Sequence, residues 1–342
     1  MIDEIKDDHS IREVILPYIK NKTNLLLTIG IYREGETEII TEGNPSSLPK
    51  IAPEHRIYEI GSITKVFTAS LLAKAITEKK INLDDSITEY LPTLKKNITL
   101  QAHPVTIRHL TTHTSGLPSL PFTFTMKLLL SKRVRNNPYI YFTNEDMIKF
   151  LQKFKFNPEK RNFTYSNLGL GLLGYILAKE YGNEYENVIK QEITEELKAT
   201  DTAIHLSASQ KARLIPGFNH KNKQVNNWDF KSLEAAGALR STITDQLAFL
   251  ESHIESNKNH FNSILSETHH VLHEHTDGMH VGMNWIINKE KNVIWHNGGT
   301  AGYSSFMGFN KDRKMGVVVL SNYGPSLSQT TTVDRIGFDL LK

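Results

Sequence analysis

The chain has 342 residues, of which 39% are hydrophobic and 23% charged, as expected for a globular protein with a core of useful size. Its 40 basic and 37 acidic residues leave a formal charge of +3, too close to balance to argue for nucleic acid or an anionic membrane as partner. There are no cysteines, which excludes a disulfide framework, a thiolate zinc site and a cysteine nucleophile. The first ten residues lack the apolar segment of a signal peptide, and no apolar run could span a membrane. We therefore expect a cytoplasmic protein, or an exported one whose leader has been removed.

The N-terminal part of the chain carries clear periodic patterns. Apolar residues recur at helical spacing near the start, and the following segments have the composition of strands. These patterns predict a surface helix over residues 2–20, followed by two strands, Leu25–Tyr32 and Thr37–Thr41, that are joined at a turn. They also predict a third short strand, Ile57–Ile60, and a buried helix over residues 62–79. The third strand ends at Gly61, so the buried helix begins directly after a glycine.

The middle of the chain, residues 83–227, is predicted to consist mostly of helical pieces and loops. Thr143 and Asp146 are spaced as at the start of a helix, here Asn144–Phe154, and Leu168–Glu180 is a strongly apolar helix. Four predicted strands then follow, namely Val281–Ile287, Asn292–Trp295, Tyr303–Asn310 and Met315–Ser321. A last predicted helix, Thr330–Leu341, ends the chain. Strands at both ends with helices between them indicate one sheet built from both termini.

The length exceeds that of an average domain but is within reach of one large domain. We expect a single domain, residues 1–342, in which residues 1–80 and 230–342 form a sheet subdomain. Residues 81–229 would form a helical subdomain beside the sheet.

A serine and a lysine stand at the start of the buried helix. Ser62 and Lys65 are three residues apart, so in a helix they share a face and the amine can reach the hydroxyl group. Serine is a weak nucleophile that needs a nearby base, and an amine can serve when burial lowers its pKa. The same spacing occurs in Ser47–Lys50, but that segment contains a proline and resembles a loop. The strand and the glycine before Ser62 distinguish the first pair.

The second group of candidate residues, Tyr165–Asn167, directly precedes the apolar helix. A phenol near a lysine can relay the serine proton to a leaving group, and the Asn167 amide can hold both the lysine and a substrate carbonyl. The pattern occurs again in Tyr181–Asn183 and Tyr185–Asn187. Those copies lie in a polar stretch and are interpreted as surface, which leaves Tyr165 and Asn167 as the candidates.

The third group, His296–Gly299, ends one of the predicted strands. The N–H of Gly299 could form an oxyanion hole together with the N–H of Ser62, and glycine lets a carbonyl approach the backbone closely. His296 would offer a hydrogen-bond donor to the substrate. Taken alone, the segment is also compatible with a simple β-turn. The predicted substrate-binding residues of this group are His296, Asn297, Gly298 and Gly299.

The three groups, in this order, resemble the motifs of the class C β-lactamase-like serine hydrolases, which include penicillin-binding proteins, D-aminopeptidases, DD-peptidases and family VIII esterases. The likeness runs from about Leu25 to Tyr323. Tyr58–Leu72 resembles the nucleophile segment of the family, Tyr165–Asn167 its tyrosine motif, and His296–Gly298 its third motif, where many β-lactamases have Lys-Thr-Gly. The resemblance implies that Ser62 is the nucleophile and Lys65 the base.

Further segments resemble the family in the same order: Ile81–Pro92, Thr106–Pro118, Ala235–Leu250 and His296–Phe309. The implied fold is α/β (α+β), of the β-lactamase/transpeptidase type. It has an antiparallel five-stranded-type sheet flanked by terminal helices, and a helical subdomain. The active site would lie between the two parts.

We therefore expect a serine hydrolase that forms an acyl-enzyme from an ester, amide or lactam carbonyl. Whether Lys65 or Tyr165 is the general base stays open, since the two could titrate as a pair. A neutral histidine at position 296 attracts an anion less strongly than a lysine. Esterase or peptidase activity is accordingly favoured over efficient β-lactamase activity. The partner would be a small-molecule or peptide-like substrate, and neither a cofactor nor an oligomeric state is indicated.

Two other functions compete with this one. A penicillin-binding module would acylate but turn over very little. A metal-dependent hydrolase would use five histidines of one polar region, namely His269, His270, His273, His275 and His280. Their spacing matches no metal motif, so we expect a solvated loop there and no metal site.

Two further features have mainly structural interpretations. His109 and His113 are four residues apart, but no glutamate follows the first as in metalloproteases, so both are expected to cap and pack the loop at Ser115–Gly116. A basic and apolar segment could be a lid over the cleft or an exposed amphipathic stretch; it contains Lys127, Leu128–Leu130, Lys132, Arg133 and Arg135. Walls of the pocket are expected from Pro121–Phe142 and Pro216–Asn227.

Overall fold

The computed structural model describes residues 8–43, 50–132, 134, 137–275, 278–326 and 332–342. Within these ranges the chain forms thirteen α-helices and ten β-strands. The helices are α1 Asp8–Ile19, α2 Thr64–Thr77, α3 Ile87–Tyr90, α4 Ile98–Ala102, α5 Ile107–Thr111, α6 Phe122–Leu130, α7 Asn144–Lys153, α8 Asn167–Glu180, α9 Tyr185–Ile189, α10 Ala208–Lys211, α11 Ile243–Ile254, α12 His260–Ser266 and α13 Val333–Leu340. The strands are β1 Leu26–Arg33, β2 Glu36–Gly43, β3 Tyr58–Glu59, β4 Arg240–Ser241, β5 His273–Glu274, β6 Met279–Val281, β7 Ile286–Asn288, β8 Val293–Gly299, β9 Ser304–Asn310 and β10 Met315–Ser321.

Eight of the strands form one antiparallel sheet in the order β2-β1-β10-β9-β8-β7-β6-β5. The pairing of β1 with β10 places Leu27 opposite Ser321 and Arg33 opposite Met315. The prediction that both ends of the chain build one sheet is therefore confirmed, as is the mixed fold class. The sheet is larger than the expected five-stranded type because three short strands, β5 to β7, extend it beyond β8.

The sheet is covered by helices on both faces. In β10, Val317 and Val319 pack into a cluster with α1 and α13, whereas Val318 and Leu320 point into the larger core that contains α2, α8 and α11. Burial on both faces explains why this strand is apolar at nearly every position. The larger core runs through both predicted subdomains, so their boundary at residues 81–229 stays a prediction.

The predicted helices occur close to their expected positions. In α7, Thr143 Oγ1 accepts a hydrogen bond from the backbone of Asp146, as the spacing of the two residues indicates. Helix α1 covers the described part of the predicted first helix, and Thr330 at the start of the predicted last helix lies outside the described residues. No helix in the described ranges is both long and apolar enough to cross a membrane.

The predicted strand Val281–Ile287 is wrong in one respect. The chain turns between β6 and β7, where Asn284 has φ +59°, a conformation that asparagine tolerates better than most residues. The turn is anchored, because Asn284 Nδ2 donates a hydrogen bond to Thr111 Oγ1 at 3.1 Å. The segment is therefore a hairpin rather than a continuous strand.

The histidine-rich region is also more ordered than the expected solvated loop. His273 lies in β5 and His280 in β6, and His269 is buried in a short 3₁₀ helix. The sequence shows no strand periodicity here because β5, β6 and β7 are each only two or three residues long.

Candidate active site

Ser62 lies in a 3₁₀ turn, Gly61–Ile63, which leads directly into α2. Gly61 has φ +51°, which a residue with a side chain rarely adopts. A Cβ atom on Gly61 would also lie 2.6 Å from the backbone nitrogen of Gly299. Ser62 is half-buried at this junction. The turn thus presents the serine beside the end of β8.

Lys65 is fully buried in the first turn of α2. Its Nζ lies 3.0 Å from Ser62 Oγ, 2.8 Å from Asn167 Oδ1 and 2.6 Å from the carbonyl oxygen of Ala236. Burial holds the pKa of Lys65 well below its usual range. A neutral amine has two hydrogens and one lone pair. Since the two other oxygens can only accept, the lone pair of a neutral Lys65 amine would be directed at the Ser62 hydroxyl.

Asn167 is the first residue of α8, and the side chain of Ser166 caps that helix by accepting from Gly169. The Asn167 amide bridges two parts of the site, because its Nδ2 donates to the hydroxyl group of Tyr139 at 3.2 Å. The Tyr139 ring stacks on Phe230 with ring centres 4.4 Å apart. The predicted wall Pro121–Phe142 therefore supplies a direct hydrogen-bond partner to the site.

The aromatic ring of Tyr165 faces the side-chain nitrogen of Lys65. Its ring centre is 4.7 Å from Lys65 Nζ. The residue is 36% exposed, yet burial around its hydroxyl group raises the pKa above the usual range, while hydrogen bonding with Ser62 acts in the opposite direction. The phenol is therefore protonated at neutral pH. It can donate a proton but holds no negative charge in the resting site.

The imidazole ring of His113 packs against the ring of Tyr165. The two ring centres are 4.6 Å apart, and His113 Nδ1 accepts a hydrogen bond from the backbone N–H of Ser166 at 3.1 Å. Burial, with Lys65 and His296 nearby, holds the pKa of His113 well below its usual range, so the ring is neutral and carries its proton on Nε2. That nitrogen has no hydrogen-bond partner among the described residues. The role expected for His113, packing the loop at Ser115–Gly116, stays a prediction, and its contact with Tyr165 was not predicted.

His296 lies in β8 on the side of the sheet that faces α2, and it is almost fully buried. Its Nδ1 donates to the carbonyl oxygen of Asn297 at 2.6 Å. Burial, with a smaller effect of Lys65, lowers the pKa of His296 to about 3, so the ring is neutral. Nε2 then carries a lone pair. The expected donor to substrate is therefore wrong for the resting site, where His296 offers an acceptor.

Gly298 and Gly299 continue β8 rather than forming the alternative β-turn. A Cβ atom on Gly298 would lie 2.0 Å from the carbonyl oxygen of Ile60 and 2.9 Å from the nitrogen of Ser62. Only glycine allows the strand to approach the serine turn so closely. The backbone around Ser62 and Gly299 is thus brought together, as an oxyanion hole requires.

Asn297 is not placed with the other candidates. Successive side chains of a strand point to opposite faces, and Asn297 is paired with Phe306, which packs into the cluster of α1 and α13. Its Nδ2 donates to Asp334 Oδ2 at 2.9 Å. The prediction that its side chain contacts substrate conflicts with this placement. Asn297 anchors β8 to α13 instead.

The histidine cluster does not form a metal site in the described residues, where no group of three or more potential ligands could hold an ion. His269 instead pairs with His253, since the distance from His269 Nε2 to His253 Nδ1 is 2.8 Å. Both rings are buried against Trp285 and Phe309. Apolar packing therefore accounts for this pair.

Two groups that bind residues of the site could not be identified individually from the sequence. The carbonyl of Ala236 binds Lys65 through the backbone, so its residue type reveals nothing. Tyr139 is 28 residues from its partner Asn167. A stacked pair such as Tyr139 and Phe230 can be recognised only when the fold brings the two segments together.

Comparisons with known proteins identify the family of the chain. The family model described as "Beta-lactamase" matches residues 43–340. A protein named "Beta-lactamase" from Providencia stuartii is 30% identical over 249 residues, which cover 72% of this chain and 60% of that protein. The chain thus spans well under two thirds of that relative's length.

Solved structures give the same fold at lower identity. A class C beta lactamase has a TM-score of 0.80 with 22% identity, covering 97% of this chain and 96% of that one. A Beta-Lactamase/D-Alanine Carboxypeptidase from Pseudomonas syringae has a TM-score of 0.79 with 18% identity, covering 97% and 98%.

Proposed function

The chain belongs to the beta-lactamase family, and on that premise we propose that it is a serine hydrolase that attacks an ester, amide or lactam carbonyl through Ser62. The observation that carries the proposal is the hydrogen-bond set of Lys65. Its buried amine donates to two obligate acceptors and keeps its lone pair for the serine hydroxyl 3.0 Å away. That arrangement suits a general base at neutral pH.

Lys65 rather than Tyr165 would take the serine proton. The pKa of the lysine is lowered by burial and that of the tyrosine is raised, so the amine is the group with a free lone pair in the resting site. Tyr165 would deliver a proton to the leaving group as the carbonyl–leaving-group bond breaks. The protonated Lys65 would pass its proton to the Tyr165 phenolate, which restores the amine and the phenol. Lys65 would then take a proton from a water molecule as the water oxygen attacks the acyl carbonyl, and would return that proton to the Ser62 oxygen as the acyl–serine bond breaks.

The N–H groups of Ser62 and Gly299 would stabilise the oxyanion. Support comes from the close contact of the two segments at Gly61 and Gly298. Fixed backbone donors in a site of this kind each contribute about 10²–10³ to the rate.

Substrate preference would follow from the charge of the site. Burial lowers the pKa of both Lys65 and His296, which favours their neutral forms and weakens any fixed positive charge that the site could offer to a substrate carboxylate. We infer a preference for esters or peptide-like substrates over β-lactams. Turnover of short p-nitrophenyl esters should exceed that of nitrocefin. His296→Lys should shift the ratio toward nitrocefin, and an unchanged ratio would contradict the inference.

Covalent labelling tests the nucleophile directly. Intact-mass measurement after treatment with a fluorophosphonate should show one adduct on the wild type and on the control Ser209→Ala, an exposed serine in α10. Ser62→Ala should show none, and labelling that survives in this variant would overturn the proposal. A rapid burst with penicillin followed by negligible turnover would select a penicillin-binding module instead.

A further inference from the structure

The most exposed apolar side chains of the molecule are concentrated in one region. Among the described residues, four large hydrophobic side chains are more than 60% exposed: Ile98 at 79%, Phe122 at 74%, Leu129 at 62% and Leu130 at 81%. Three of them lie on α6, whose inward side is held by the buried Phe124. The segment interpreted as a lid or an exposed amphipathic stretch is thus exposed in its described part, while Arg133 and Arg135 lie outside the described residues.

The charged residues in the stretch of chain that carries α4 and α6 are all basic. Residues 90–144 contain seven lysines and arginines and no aspartate or glutamate, although the whole chain is nearly balanced. One of the seven, Arg108, is ion-paired with Asp84 just outside this stretch. Lys127 and Lys132 flank the apolar face of α6, and neither forms an ion pair with any residue that the structure describes. Local charge rather than net charge decides what such a surface attracts.

A groove continues the apolar surface of α6. It has a volume of about 540 Å³ and is lined by Phe122 on α6 and by Phe150 and Phe154 on or next to α7, with Lys155 and Lys160 at its rim. Helix α4, which carries Ile98, is held against the end of α7 because Asn97 Nδ2 donates to the carbonyl oxygen of Phe154 at 2.7 Å. The exposed apolar groups and the lysines therefore belong to one side of the molecule.

We propose that this side, defined by α4, α6 and the groove between α6 and α7, docks on the surface of an anionic lipid bilayer. Apolar side chains of a short surface helix can enter the boundary between headgroups and acyl chains, while flanking lysines bind the anionic headgroups. A second copy of this chain fits less well, because it would bring the same lysines against each other. The proposal does not depend on the hydrolase activity.

Docking would bring the active site near the bilayer. Thr164, which directly precedes Tyr165, is among the residues that line the groove. The proposed docking surface therefore adjoins the candidate site.

Vesicle co-sedimentation of the full chain tests the proposal. We expect binding to vesicles of phosphatidylcholine with 30% phosphatidylglycerol, as one choice of an anionic surface, and much weaker binding to phosphatidylcholine alone. High salt should weaken binding because surface attraction to lysines is screened. Phe122→Ser combined with Leu130→Ser, and separately Lys127→Glu combined with Lys132→Glu, should each lower the partition coefficient at least roughly tenfold.

Matched controls lie on other surfaces. Leu16→Ser on α1 removes an exposed apolar side chain, and Lys289→Glu combined with Lys291→Glu changes the same charge in the turn before β8. Both should bind like the wild type, and circular dichroism should show every variant folded. The proposal fails if anionic vesicles do not bind the wild type, or if the controls lose as much binding as the α6 variants. It also fails if the α6 changes abolish a dimer in sedimentation analysis without affecting vesicle binding.

Discussion

The imidazole of His113 packs against the phenol of Tyr165 at 4.6 Å between ring centres, and its Nδ1 accepts the backbone N–H of the neighbouring Ser166. One residue thus fixes both the ring and the main chain of the tyrosine motif. His113 has φ +59°, which aims the imidazole at this motif from the end of α5.

His113→Phe should keep the ring contact with Tyr165 but leave the buried N–H of Ser166 without an acceptor. We expect a loss of about 1–3 kcal/mol of unfolding free energy. A fall in kcat for an ester should accompany it with little change in KM, because Tyr165 acts in the chemical step. Urea unfolding and steady-state kinetics measure the two effects. The exposed His103→Phe is the control, and an unchanged kcat would restrict His113 to a role in stability.

Lys65→Met should reveal the buried amine through the pH dependence of stability. The unfolded chain carries a charged lysine below pH ~10.4, whereas burial lowers the pKa in the folded protein. The unfolded state therefore binds more protons over this interval, and wild-type stability should rise with pH. Relative to Lys65→Met, the wild type should therefore gain stability between pH 8 and 10.

Urea unfolding of Lys65→Met and of Lys74→Met, a control on the same helix with an ion pair to Glu192, would measure that difference. A parallel pH dependence of the wild type and Lys65→Met would mean that the folded lysine is charged. Lys65→Met should also slow acylation by roughly 10²–10⁴-fold.

The pH profile of ester hydrolysis should be level between pH 8 and 10. Burial lowers the pKa of Lys65, which favours the neutral amine, and raises the pKa of Tyr165, so the phenol keeps its proton. Tyr165→Phe should lower kcat but leave the acid limb of kcat/KM in place, since that limb belongs to the lysine. Disappearance of the acid limb in Tyr165→Phe would assign the base to the tyrosine.

The buried His253 should make the fold sensitive to mild acid. Burial lowers its pKa to about 3, so between pH 6.5 and that value the unfolded chain binds a proton that the folded protein does not. The contribution of His253 to the free energy of unfolding is therefore fully present above pH ~6.5 and is lost as the pH decreases. From pH 6.5 to 5 the loss due to His253 should be about 2 kcal/mol. Urea midpoints of His253→Gln should show a weaker pH dependence than those of the exposed control His260→Gln.

Gly298→Ala should disturb both the fold and the oxyanion hole. Its Cβ would lie 2.0 Å from the Ile60 carbonyl oxygen, so β8 must move away from Ser62. We expect destabilisation of about 1–3 kcal/mol and a loss of acylation rate of roughly 10²-fold. Gly299→Ala is the matched variant, because its Cβ would meet only Pro325, at 3.0 Å, and its effect should be much smaller. Equal effects of the two changes would argue against the close contact.

Local patterns predicted the parts of the site that depend on neighbours in sequence. Ser62 and Lys65 share a helix face, and the capping residues of α7 were readable from their spacing. The sheet built from both termini followed from strand patterns at the two ends of the chain with helices between them.

The errors arose where the outcome depends on distant partners. Asn297 was expected in the site, but the register of β8 against β9 turns its side chain toward α13. The direction of the His296 hydrogen bond is set by the carbonyl of Asn297, which no side-chain pattern records. Both features require knowledge of how the strand enters the sheet.

The pairing of β1 with β10 and the late position of β8 in the sequence affect how the protein folds during synthesis. Ser62 is synthesised more than two hundred residues before Gly299. The central strands of the sheet cannot pair until almost the whole polypeptide has left the ribosome. Such a high contact order slows folding. A nascent chain is accordingly expected to stay catalytically silent, and its early strands would need protection from aggregation during translation.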